Sequence, residues 1–391
     1  MTGAPTSRVL LGPGPSNVHR RVLRALSRPL VGHLDPIFLE LMQEIQDLLR
    51  FAFRTANRLT IPISGTGSAG MEACLVNLIE PGDKVIVGVN GVFGTRMVDI
   101  VGRCRGVAIP VEAPWGEIVE PESLLEALRA NPDARAVCVI HAETSTGAWQ
   151  PLQELGEALS QTETLFVVDA VTSLAGAPLY VDDWHIDACY SGTQKCLSCP
   201  PGLAPLTLSE KAMAILRRRS SAVQSWYLDL SMIEKYWGEE RAYHHTAPVS
   251  MNFALAEALR LVREEGLEAR WTRHRRHHEA LREGLAAMGL PLAAQVGRQL
   301  WMLNSVGIPD GIDDADVRSF LLRDYNLEIG GGLGPLQGSV WRIGLMGESS
   351  TKANVLLVLT ALERALKARG YDFPAGAGAG IEAAAASLAT G

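Results

Sequence analysis

Lysine is scarce in this sequence. Of 36 basic residues only six are lysines: Lys84, Lys195, Lys211, Lys235, Lys352 and Lys367. Five of them stand beside charged, turn or helix-surface residues. Lys195 is different, because it closes the small-residue stretch Ser191-Gly192-Thr193-Gln194 and is followed by Cys196-Leu197-Ser198-Cys199-Pro200-Pro201-Gly202. Other shortages bound the protein further. No apolar run reaches the length of a membrane-spanning helix. The first residues lack a charged-then-apolar secretory pattern, and Ala389-Thr390-Gly391 is not a peroxisomal address. Six cysteines in 391 residues are too few for a disulfide framework. A net charge of −7 disfavours non-specific nucleic-acid binding. The expectation is a cytoplasmic protein with neither nucleic acid nor membrane as partner.

With 47% hydrophobic and 20% charged residues, the chain has ample material for a core. Its length suggests two domains, or a large one with a smaller companion. Residues 1–20 are rich in Pro, Gly and Ser around Gly12-Pro13-Gly14-Pro15, and form either a loose terminus or an arm laid on another surface. Apolar residues at helical spacing predict a helix over 36–53. A strand over 59–63 then leads into Ser64-Gly65-Thr66-Gly67-Ser68-Ala69-Gly70 and a helix to Leu78. From there strands (84–89, 106–111, 136–141, 164–169, 188–191, 204–208) alternate with helices, giving βαβ units and a mainly parallel sheet covered on both faces. Beyond 265 the pattern changes to α+β. The expected division is an arm over 1–20, a large domain over 21–264, a small domain over 265–373, and a flexible Ala/Gly-rich tail over 374–391.

Several residues carry possible chemistry. A lysine leaving a buried strand offers its amine at the mouth of an α/β sheet. A Schiff base with pyridoxal phosphate is the functional reading of Lys195, and a surface lysine the structural one. Gly65 to Gly70 matches G-x-G-x-x-G between strand and helix, which suits a single phosphate, a dinucleotide or a tight turn. No carboxylate ends the next strand at Val89-Asn90-Gly91, which argues against the dinucleotide. Asp169, at the end of an apolar strand, is either a loop-bonding carboxylate or the partner of a pyridinium nitrogen. His141-Ala142-Glu143-Thr144-Ser145-Thr146-Gly147 brings hydroxyls and an imidazole to the same edge, or is turn chemistry. Arg342, within Val340–Gly344, must find an anion: a substrate carboxylate or an internal ion pair. Cys196 and Cys199 read as structural. The histidines of Arg273-His274-Arg275-Arg276-His277-His278 read as a solvated helix face, and no metal site is expected.

Taken in order, GPGPSN, SGTGSAGMEA, LIEPGD, NGVFG, ETSTG, SGTQK with CPPGL, YHHT, GGLG and RIGLMG resemble the alanine–glyoxylate and serine–pyruvate aminotransferases of class V. The likeness runs from Leu10 to about residue 370. It implies the fold-type I architecture: a large domain with a mainly parallel seven-stranded sheet sandwiched by helices, and a smaller α+β domain. It implies pyridoxal 5'-phosphate, with Lys195 as the Schiff-base lysine and Asp169 as the pyridinium partner. Thr144 would touch the ring substituents, Phe93 would stack on the ring where tryptophan is common in the family, and Gly67, Ser68 and Gln194 would hold the phosphate. Tyr243 and Thr246 would reach the phosphate of a neighbouring subunit in a homodimer, with the N-terminal arm crossing to the partner. Arg342 would hold the substrate carboxylate, and His33 lies where the family varies near the substrate. The expected reaction moves an amino group from alanine or serine to glyoxylate or pyruvate by a ping-pong route. Ureidoglycine–glyoxylate transamination is the near alternative. Cysteine desulfuration is disfavoured because Cys199 is the last cysteine, and a nicotinamide-dependent dehydrogenase is the alternative from another class.

Overall fold

The structure, a computed structural model, describes residues 7–390. Its centre is a seven-stranded sheet with strands in the order Leu59–Ser64, Leu203–Leu208, Ala188–Tyr190, Leu165–Asp169, Ala136–Ile140, Lys84–Val89 and Val107–Glu112. All neighbours run parallel except Leu203–Leu208, which is antiparallel to both of its partners. The interior strands are buried along their length, as continuous apolar runs such as Ala136–Ile140 require when helices cover both faces. Val107–Glu112 forms one edge, and there Pro110 is tolerated because no ladder bond is needed on its outer side.

Local sequence explains the flanking elements. Asp35 caps the helix Pro36–Phe53 by accepting from the Ile37 N–H at 2.9 Å, and Pro36 occupies its first turn. The helix ends at Arg54 in a left-handed conformation. Gly67–Leu78 falls where its pattern places it, and Pro121–Ala130 carries a proline in its first turn. Three short helices, Arg20–Leu26, Glu210–Arg217 and Leu230–Trp237, were not expected, being too brief to display a full amphipathic period.

Apolar burial separates into two main clusters. One runs from Val22 to Trp271 around the large sheet. The other joins Leu11 to residues between Ala280 and Leu388, around the antiparallel strands Leu303–Gly307, Val340–Gly344 and Gly330–Gly331. A small third cluster, including Ala142, Cys196, Met302 and Met346, lies beside the lysine loop. No described helix is long and apolar enough to cross a membrane.

The GPGP segment packs against its own chain: Val9–Leu10 pairs in parallel with Leu327–Glu328, and Ser16 N–H donates to Gln194 O at 2.9 Å. Two expectations need correction. The described part of the expected flexible tail over 374–391 is not free, since Ala379–Ala389 is a helix packed on the helix Leu267–Ala287. The Ala/Gly content that suggested few anchors serves close approach instead: a Cβ added at Gly284 would lie 2.8 Å from Gly380 O. Finally, His274, His277 and His278 are buried, not solvated. Each nitrogen that faces inward is bonded: His274 Nε2 accepts from Gly347 N–H, His277 Nδ1 meets Ser350 Oγ, and His278 Nδ1 meets Asn304 Oδ1. The described residues contain no cluster of metal-binding groups.

Candidate active site

The C-terminal ends of the parallel strands converge on a cavity of about 230 Å³. Gly67, Ser68, Phe93, Thr144, Asp169, Gln194 and Lys195, drawn from five separate segments of the chain, all line it. Asp169 closes its strand opposite Ile140 and Tyr190. Its Oδ1 accepts from the Val171 N–H at 2.8 Å, and it forms no ion pair among the described residues. Burial pushes its carboxyl up to about 7. The Tyr190 hydroxyl is buried nearby without a partner of full hydrogen-bond geometry. A buried carboxylate in this condition calls for a cation or donor from the cavity side.

Lys195 reaches the same cavity from the loop after Tyr190. Ser191 Oγ donates to Ala170 O and Thr193 Oγ1 to Pro200 O, while Arg270 Nη2 donates to Cys196 O at 2.6 Å. Burial and the positive field of Arg342 lower the amine to about 8. Its Nζ donates to Pro13 O, and Gly14 packs on the side chain with φ +109. A Cβ at Gly14 would sit 2.8 Å from Nζ, so only glycine fits there.

Opposite, Gly67 begins a helix whose N-cap Thr66 makes no side-chain capping bond. That leaves the first N–H groups of the helix turned to the cavity, where an anion is favoured. A Cβ on Gly67 would approach Val171 Cγ2 to 3.0 Å. Gln194 carries a buried amide oxygen with no partner at the same corner. Arg342 stands behind Thr144, donating from Nε to Gly331 O at 2.7 Å and from Nη1 to Thr144 O at 3.2 Å. It makes no ion pair among the described residues, so the internal-pair reading fails.

Some residues lie elsewhere. His141 does not face the cavity: Trp149 Nε1 donates to its Nε2, which leaves Nδ1–H to donate to Ser173 Oγ, and burial lowers the ring to about 3. His33, Tyr243 and Thr246 do not line this cavity. His33 and Tyr243 face each other with ring centroids 5.3 Å apart, and Tyr236 Oη donates to His33 O. Tyr243 and Thr246 are exposed. Two site residues escaped the sequence reading. Glu143, fully buried, crosses to the start of the helix Val92–Arg103 and accepts from Phe93 N–H at 3.1 Å and Ser145 N–H at 3.0 Å. It fixes the backbone of the ring-bearing Phe93. The signal was a carboxylate placed directly after a buried strand. Arg96, on the same helix, lines the cavity.

These residues fit pyridoxal phosphate. A buried acceptor sits opposite an anion-favouring helix start, with a depressed-pKa amine between them and an aromatic ring on one wall. A dinucleotide would find no ribose carboxylate here. Comparison with known proteins agrees. The class-V aminotransferase family profile matches residues 13–346. The (S)-ureidoglycine–glyoxylate transaminase of Bacillus subtilis is 41% identical over 387 residues, covering 94% of this chain and 93% of its own. The crystal structure of the ureidoglycine–glyoxylate aminotransferase from that species matches over 100% of both chains with a TM-score of 0.97. An alanine–glyoxylate aminotransferase structure from Nostoc sp. is 49% identical, with TM-score 0.92 over 94% of this chain and 97% of its own. The chain therefore belongs to the class-V aminotransferases, enzymes that depend on pyridoxal phosphate.

Proposed function

We propose that this aminotransferase carries the amino group of a small amino acid, alanine or serine, to glyoxylate or pyruvate. The observation that supports it best is the presence of Lys195 and Asp169 on one cavity, with Arg342, free of any ion pair among the described residues, bonded to the backbone of its lining residue Thr144. Glyoxylate appears in the names of both the Bacillus subtilis and Nostoc relatives, which favours it as acceptor. Ureidoglycine is kept as a second donor because the 0.97 TM-score spans the whole chain.

When bound, the cofactor supplies an electron sink for the bond broken at the substrate α-carbon. The chain supplies the rest. Lys195 Nζ would carry the cofactor and, once displaced by the incoming amine, would hold and return the α-proton; lowering of the amine to about 8 by burial and Arg342 brings its neutral form closer to physiological pH. Asp169 would accept from the pyridine nitrogen and keep it protonated. Phe93 would pack on the ring, Thr144 would touch its substituents, and Gly67, Ser68 and Gln194 would hold the phosphate. Arg342 has unpaired guanidinium donors for the substrate carboxylate, which orients the α-hydrogen toward Lys195.

The assembly proposed is a homodimer in which Tyr243 and Thr246 reach the partner's phosphate and His33 borders its substrate pocket. Exposed Leu30, Ile37, Trp226 and Tyr243, at 60% or more of their surface, support an apolar face for that contact. The proposed division into residues 21–264 and 265–373 has the support of two separate apolar clusters, of which the first extends to Trp271 and the second takes in Leu11, Ala384 and Leu388. Free thiols at all six cysteines suit a reducing, cytoplasmic setting.

The deciding experiment mixes single amino donors with the cofactor-loaded enzyme and follows the visible band of the lysine-bound cofactor. Alanine, serine or ureidoglycine should discharge it, and glyoxylate should restore it. A protein discharged by none of the three would sink the donor assignment.

A further inference from the structure

Cation supply around the cavity is sparse. Among its lining residues only Arg96 and Lys195 are basic, and Asp169 is acidic. A phosphate monoester brings roughly −1.5 to −2 of charge at neutral pH. The open helix start at Gly67 offsets about half a charge. Lys195 is committed elsewhere, because its nitrogen becomes part of the link to the cofactor aldehyde. The phosphate corner therefore needs another cation from this chain.

Arg96 stands at that corner. Its Nη1 donates to Ser68 Oγ at 3.0 Å, and its guanidinium carbon lies 4.9 Å from the centroid of the Phe93 ring. It is only partly exposed and forms no ion pair among the described residues. Both contacts bear on the site. By occupying a lone pair of Ser68, Arg96 leaves the serine O–H as a donor for an anion. Its position over the Phe93 ring holds the guanidinium beside Ser68.

We infer that Arg96 is the phosphate-recognition cation of this enzyme, acting on the cofactor phosphate directly and through the Ser68 hydroxyl. The inference rests on the reading that Gly67 and Ser68 hold that phosphate. It gives Phe93 a second purpose: the ring that flanks the cofactor also seats the arginine.

The test compares two ligands that differ only in the phosphate. Full-length enzyme is freed of cofactor and titrated with pyridoxal phosphate and with pyridoxal, as wild type, Arg96→Gln, Arg96→Lys and Ser68→Ala. Arg96→Gln should weaken pyridoxal phosphate by ~10-fold or more and leave pyridoxal within about twofold of wild type. Arg96→Lys should recover most of the loss. Added salt should weaken phosphate-dependent binding in wild type more than in Arg96→Gln. Unchanged pyridoxal phosphate affinity in Arg96→Gln would overturn the inference. So would equal losses for both ligands, which would assign Arg96 to supporting the Phe93 ring alone. Equal affinity of the wild type for the two ligands, with Ser68→Ala silent, would overturn the placement of the phosphate itself, and Arg96 with it.

Discussion

At the scale of the residue, the site depends on groups held away from their ordinary ionisation. Asp169 has a folded pKa raised to about 7 from 3.8. For an acid raised on folding, the unfolded chain ionises first as pH climbs, so stability is lost between about pH 4 and 7, on the order of 4 kcal/mol in the cofactor-free protein. Asp169→Asn removes that titration. The cofactor-free variant should gain stability relative to wild type as pH rises from 5 to 8, measured by denaturant melts at each pH. The loaded variant should lose transamination by ~10³-fold or more, because the pyridine nitrogen loses its anion. Lys195→Ala should abolish both the visible band and turnover; retention of either contradicts the assignment. Arg342→Gln should raise KM for amino and oxo acids alike by about 30- to 100-fold, the worth of a charge-assisted pair. The same variant should raise the Lys195 pKa, since Arg342 helps depress it. The glycines and the scarce lysine made most of these positions legible in the sequence. Arg96 was not, because an arginine on an amphipathic helix looks like surface until the opposing loop is known.

Elements show where pattern reading succeeds and where it stops. Pro36–Phe53 and Lys84–Val89 have the predicted bounds, since helical periodicity with a proline start defines the first and a continuous apolar run the second. The histidines of the Leu267–Ala287 helix were misread because charge pattern alone does not reveal the acceptors that satisfy a buried imidazole. His274 and Arg270 bond to Gly347 and Cys196, residues 73 and 74 positions away in sequence. The terminal helix was lost for the opposite reason: small residues look unanchored until a facing helix is supplied. Leu388 is 3% exposed and Ala384 fully buried. Leu388→Ala should cost about 2–3 kcal/mol, and truncation after residue 378 should lower the melting temperature while leaving the visible band of the loaded enzyme in place. A truncation without thermal effect would show that the helix contributes nothing.

For the whole molecule, the parallel sheet was legible in the alternation of apolar runs with helices, and its ligand edge followed from strand polarity. What one sequence conceals is which chain completes a site. Mixing Lys195→Ala with Tyr243→Ala protomers tests this. Each is impaired alone, but random pairing gives about a quarter of sites an intact lysine with an intact neighbouring Tyr243. Activity should return on mixing, assayed after exchange of subunits, if Tyr243 serves the partner, and should stay at the mean of the two parents if it does not. The arm carries one more implication, this time about time. Ser16 bonds to residues 178 and 179 positions later, and the Asn17 N–H to one 332 positions later. This segment therefore leaves the ribosome well ahead of every residue it docks on, and waits for Ser349 before its bonds are complete. Pro13 and Gly14, the wall against which Lys195 rests, are made long before they are seated. The reactive amine acquires its surroundings only after residues far downstream of it have been made.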